Sequence, residues 1–188
     1  MHTEAKKESN VMYIVRIAAT LLIITAVVAG ALAAVNSVTE PVIAALNEAK
    51  TQEAIAAVLP GGYEEQLTDY ADATGLVSKV YQGVNGYCFE VTPGGFDNTI
   101  TMMVGVGNDG KVLGISIVSH TETAGLGAVA AAKTSAGENF RGQFVGKSGS
   151  VAVSKDGGEL DAITGATITS RAVCEGVNAA LSCAANLG

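Results

Sequence analysis

A chain of 188 residues can hold one ordinary domain plus an appendage, and 48% apolar residues with 23 glycines make it too apolar for disorder. The formal charge is −7, and beyond residue 36 sixteen acidic residues face eight basic ones. With no basic stripe and no tryptophan, such a chain is not a nucleic-acid binder. Cys88, Cys174 and Cys183 form no CxxC or Cys/His cluster, and the histidines are His2 and His120. That excludes structural zinc, c-type haem and a thioredoxin-like centre, so no metal is expected and the cysteines read as small core residues.

Residues 1–16 carry Lys6, Lys7 and Arg16, and residues 17–35 follow without a charge. As a helix these 19 residues are about 28 Å long, enough to cross the hydrocarbon core of a membrane. The preceding bases place the N-terminus in the cytoplasm and the remainder outside it, giving a single-pass anchor in the cell membrane. A cleaved signal peptide is the alternative, because Ala31-Leu32-Ala33 suits a small-residue cleavage site, although the apolar run is long for one. The anchor holds no carboxylate, so no ion path is expected in it.

Residues 36–62 read as a helical stalk. The helix is expected over 39–59, with Pro41 in its first turn and Pro60-Gly61-Gly62 as the stop. Residues 63–188 read as the extracytoplasmic domain. Strands are predicted at 77–83 and 86–91 around Asn85-Gly86, then at 99–106 and 111–119 across Asn108-Asp109-Gly110. The Gly/Ala/Ser-rich stretch 121–160 reads as loops and a short helix anchored by Phe140 and Phe144. A last helix over 169–186 buries Val173, Val177, Ala180, Leu181 and Ala184, with Cys174 and Cys183 on roughly opposite sides. The fold class is α+β, a small antiparallel sheet packed by helices behind one N-terminal transmembrane helix.

Two segments carry chemistry. The run Asp161-Ala162-Ile163-Thr164-Gly165-Ala166-Thr167-Ile168-Thr169-Ser170 leads into the last helix. A Gly-Ala turn lets a ligand approach the backbone, and the first amides of a helix lack intrahelical partners while its dipole favours an anion. Four hydroxyls and Arg171 add to such an anion site. The same residues suit a plain Thr/Ser cap, so both readings stay open on the residues alone. The second segment, Ser119-His120-Thr121-Glu122-Thr123-Ala124-Gly125-Leu126-Gly127, is a polar strand end entering a Gly-flanked loop. His120 and Glu122 have no third metal ligand, and there is no GxSxG elbow or triad-like partner for a hydrolase.

The Asp-x-x-Thr-Gly-Ala-Thr run at 161–167 resembles the flavinylation motif of the FMN-binding domain family. Residues 119–127 are similar to that family's His-x-Glu-Thr-Pro-Gly-Leu-Gly loop, with Ala124 where the family often has proline. The resemblance implies FMN joined by a phosphoester bond to the hydroxyl of Thr167. A flavin transferase would attach it, with Asp161 as the leading acid of the motif. Cofactor contacts are implied for Glu122, Thr123, Gly125, Leu126, Thr164, Gly165, Ala166, Thr169 and Ser170, and no acid–base catalytic residue is implied. Glu122 beside the ring, in an acidic domain, is expected to lower the flavin potential.

Together with the anchor, the hairpin and Phe140-Arg141-Gly142-Gln143-Phe144, these motifs span essentially the whole chain. The pattern resembles the G-subunit family of Rnf complexes, ion-translocating ferredoxin:NAD oxidoreductases. The C subunits of sodium-translocating NADH:quinone reductases share both motifs but are usually longer. The implied role is an electron-carrying redox subunit whose partners are other membrane subunits of such a complex. From a different class, a cofactor-free anchored binding or scaffold protein is the alternative.

Overall fold

The computed structural model describes residues 2–187, with side chains from Met12 onward. The side chains of His2, Lys6 and Lys7 lie outside the described residues. The chain divides into two compact units, Met1–Glu48 and Ala49–Gly188.

The first unit is helical. It belongs to α1 (His2–Val58), a helix long and apolar enough to cross a membrane, with an 18-residue window of mean hydropathy 2.5 that is entirely unburied. The two threonines of the apolar run bring no unsatisfied hydroxyl into it. Thr20 Oγ1 donates to the carbonyl of Arg16 at 2.8 Å, and Thr25 Oγ1 to that of Leu21 at 2.9 Å. The helix expected over 39–59 is part of α1, with no break between it and the apolar run. Asn36-Ser37-Val38 contains no breaker, the helix continues, and Pro41 lies inside it. Pro41 has no N–H for the carbonyl of Ser37, a local loss that the rest of the helix tolerates.

The second unit is built on a five-stranded antiparallel sheet in the order β1-β2-β3-β4-β5. The strands are β1 (Glu65–Leu67), β2 (Val77–Gly83), β3 (Gly86–Val91), β4 (Thr101–Gly107) and β5 (Val112–Ser119). Two helices follow, α2 (Ser135–Gly142) and α3 (Thr167–Leu187). Side chains alternate across a strand, so each strand can serve two layers. Phe89, Met102, Val104 and Val106 join Val173, Val177 and Ala180 of α3, and Phe140 and Phe144, in the larger cluster. Their neighbours Cys88 and Met103, with Tyr81, join Ile55, Val58 and Leu59 in a second cluster. This two-sided burial explains why β4 is apolar almost throughout instead of alternating. At Gly105 a Cβ would run into the carbonyl of Val58, so glycine lets the end of α1 lie directly on β4.

Four details depart from the expectations. β1 has no strand signal in the sequence, because Glu65-Gln66-Leu67 is short and mostly polar. The β4–β5 hairpin spans 101–107 and 112–119, with Gly107 and Lys111 closing the turn by an N–H···O bond of 2.8 Å. α3 starts two residues early, at Thr167. Cys174 and Cys183 are both buried in the larger cluster, because α3 is covered around more of its circumference than one stripe. All three cysteines are free, and burial pushes the Cys88 thiol up to about 12 and the Cys174 thiol up to about 11.

Candidate cofactor site

The turn before α3 is shaped from within. Ala166 N–H donates to the carbonyl of Ile163 at 2.9 Å, and Gly165 takes φ +77°, a left-handed conformation that suits glycine. Ser170, fully buried, donates from Oγ to the carbonyl of Ala166 at 2.9 Å and accepts from Ile163 N–H at 3.0 Å. Ser170 therefore builds the turn from below. The first helical bond runs from Ser170 N–H to the carbonyl of Ala166 at 3.0 Å, so Thr167, Ile168 and Thr169 are the first-turn residues whose amides have no carbonyl four back inside the helix. Upstream, Gln143 holds the backbone of Asp161 at both ends, accepting from its N–H at 2.7 Å and donating to its carbonyl at 3.2 Å. The Asp161 side chain is exposed.

The loop after β5 comes to meet this turn. Glu122 is 7% exposed, and both of its oxygens are engaged by the protein. Thr169 Oγ1 donates to Oε2, while Phe96 N–H donates to Oε1 at 2.8 Å and Asp97 N–H more weakly at 3.5 Å. Two segments distant in sequence, at 96–97 and at 169, are thus fastened to the one carboxylate of the loop after β5. A Cβ at Gly127 would collide with Glu122 Oε2 and with Thr169 Oγ1 2.5 Å away, so a side chain there would close the gap.

The result is a cavity of about 340 Å³ lined by Glu122, Thr123, Leu126 and Gly127, by Gly165 to Thr169, and by Phe96 and Lys155. Its volume lies at the lower end of small-molecule pockets. Thr167 Oγ1 is on the wall and accepts from Lys155 Nζ at 3.2 Å. Of the residues foreseen as cofactor contacts, Glu122, Thr123, Leu126, Gly165, Ala166, Thr167 and Thr169 line this one cavity. Gly125, Thr164 and Ser170 do not line it; Gly125 instead takes φ +76° to turn the loop.

Arg171, foreseen as the local positive charge, is turned away. Its Nε and Nη2 both contact Asp156 at 2.6 Å, and this grip holds the Asp156 carboxyl below its ordinary range. Lys155 supplies the charge in its place. Sequence reasoning missed Lys155, Phe96, Ile168 and Gly127. A lysine twelve residues before the threonine carries no signal of its own, and Phe96, in the loop between β3 and β4, reaches the site only through the fold.

The donors and the apolar surface fit FMN. A cation and free helix amides suit a phosphate, and Phe96, Leu126 and Ile168, exposed by 64%, 43% and 49%, offer apolar surface to a ring. No group of three His, Cys, Asp or Glu side chains that could hold a metal occurs among the described residues.

Comparison with known proteins agrees with this chemistry: residues 95–182 match the FMN-binding domain family. The G subunit of an ion-translocating oxidoreductase complex from Methanosarcina acetivorans is 30% identical, over 89% of this chain and 93% of its own. The G subunit of the Na(+)-translocating ferredoxin:NAD(+) oxidoreductase complex of Acetobacterium woodii is 31% identical over 100% of this chain and 99% of its own. A proton-translocating counterpart from Clostridium ljungdahlii is 46% identical over 91 residues, 46% of each chain. The chain belongs to the family of G subunits of ion-translocating oxidoreductase complexes.

Proposed function

We propose that this protein is the membrane-anchored electron-transfer subunit of an ion-translocating ferredoxin:NAD oxidoreductase, carrying FMN covalently on Thr167. The observation that carries the reading is the meeting of the two flavin-related segments in one cavity, with the Thr167 hydroxyl on its wall. When bound, FMN supplies the electron-carrying ring; the protein tethers and orients it and sets its surroundings. Phosphoester attachment at the first residue of α3 puts the phosphate beside the unpaired amides and Lys155. Thr123, Gly165, Ala166 and Thr169 would help to hold the cofactor in this cavity, and Phe96, Leu126 and Ile168 would offer apolar surface to its ring. Asp161 would be the acid that a flavin transferase reads, and its exposure, with its backbone held by Gln143, supports that role.

The bases before residue 17 support a cytoplasmic N-terminus and a domain outside the cytoplasm, where a tethered cofactor is not lost by dissociation. The partners are then other membrane subunits of the complex. The test is the intact mass and in-gel fluorescence of denatured protein co-expressed with a flavin transferase. Wild type is expected to be fluorescent and heavier by FMN less one water, and Thr167→Val to be neither. Well-folded wild type without flavin, despite an active transferase, would replace this reading with that of an anchored binding protein.

A further inference from the structure

We propose that Lys155 is the cation that binds the cofactor phosphate, and that the Asp156–Arg171 pair holds it in position; this rests on the covalent-flavin reading above. Among the residues lining the cavity, Lys155 is the one with a positive charge. It sits on a short 3-10 turn, Ser154–Asp156, that has little freedom. Ser154 N–H donates to the carbonyl of Leu160 at 2.7 Å, Asp156 N–H to that of Val153 at 2.9 Å, and Gly157 ends the turn at φ +84°. Arg171 then takes both carboxylate oxygens of Asp156 at 2.6 Å in a bidentate fork.

Arg171 stands four residues after Thr167 in α3, so the two share one face of the helix. The helix that carries the attachment hydroxyl thereby grips Asp156, and the adjacent Lys155 reaches back to that same hydroxyl at 3.2 Å. Attachment would draw on a flavin nucleotide activated as a phosphoanhydride: the anhydride P–O bond breaks, the Thr167 Oγ1–P bond forms, and the hydroxyl proton leaves with the departing phosphate group. The phosphodiester so formed would keep one negative charge on the two remaining oxygens of that phosphorus. Lys155 Nζ, 3.2 Å from Oγ1, would be the side-chain cation beside those oxygens. A fixed cation matters here because the chain beyond residue 36 has sixteen acids against eight bases, and that field disfavours an anionic cofactor.

The test is a time course of FMN incorporation into the full-length, membrane-embedded protein after induction of a flavin transferase, read by intact mass. Lys155→Met is expected to incorporate flavin about five-fold more slowly, the scale of one exposed charge pair, and Lys155→Arg to stay near wild type. The phosphorus-31 resonance of the attached phosphodiester is the second readout. It is expected to move in Lys155→Met relative to wild type even when loading is complete, which a loss of general stability would not produce. Lys155→Met matching wild type in both rate and resonance would overturn the assignment of Lys155 while leaving the covalent flavin intact. A wild type that takes no flavin at all would overturn the reading on which it rests.

Discussion

Glu122 is buried within an acidic domain, and three protein donors surround its two carboxylate oxygens. A carboxylate satisfied in this way positions its neighbours, joining the Phe96 loop, the loop after β5 and the first turn of α3. Removing it leaves a buried Thr169 hydroxyl and the Phe96 amide to find new partners. Glu122→Ala is therefore expected to destabilise the domain by about 1–3 kcal/mol, measured by chemical denaturation of flavin-free protein. A variant as stable as wild type would show that these donors are served by water. The sequence marks Glu122 as part of a flavin loop, but its partners come from residues 96, 97 and 169, and no local pattern records those distances.

Among the elements, β2 and β3 fall where alternation and the Asn85-Gly86 turn place them, at 77–83 and 86–91. The apolar stripe of the last helix is legible in the same way, because one buried face imposes its spacing. What stays hidden depends on tertiary contact: β1 is held by pairing Glu65 to Leu67 with Gln82 to Val80, and α1 runs through a proline that a local rule assigns to a first turn. The seat of α1 on the sheet is equally invisible in sequence. It depends on Gly105, whose missing side chain admits the Val58 carbonyl. Gly105→Ala must push backbone against backbone, with the Val58 carbonyl carbon only 2.8 Å from the added Cβ. The expected cost is about 1–3 kcal/mol, seen as a lower denaturation midpoint, and an unchanged midpoint would mean that the end of α1 shifts freely on β4.

For the molecule as a whole, acid is the sensitive direction. Hydrogen bonds from Arg171 to Asp156, from the Lys111 amide to Asp109 and from Lys147 to Glu159 hold these three carboxyls below their ordinary values. A depressed folded value contributes stability that is present above the unfolded value and lost as pH falls through the folded one, here below about pH 4. Thermal melts at falling pH are expected to show a steeper loss for wild type than for Asp156→Asn, the two curves converging in acid; parallel curves would remove Asp156 from this account. The sheet has a consequence in time as well. Every strand pairs with its neighbour in sequence, so the sheet can assemble in the order in which the chain appears. α3 is the last element, and it carries Thr167, Thr169 and Arg171. The cavity is therefore finished only after α3 has been made, and a chain stopped before it would hold the sheet without Thr167 and Thr169 in the cavity wall.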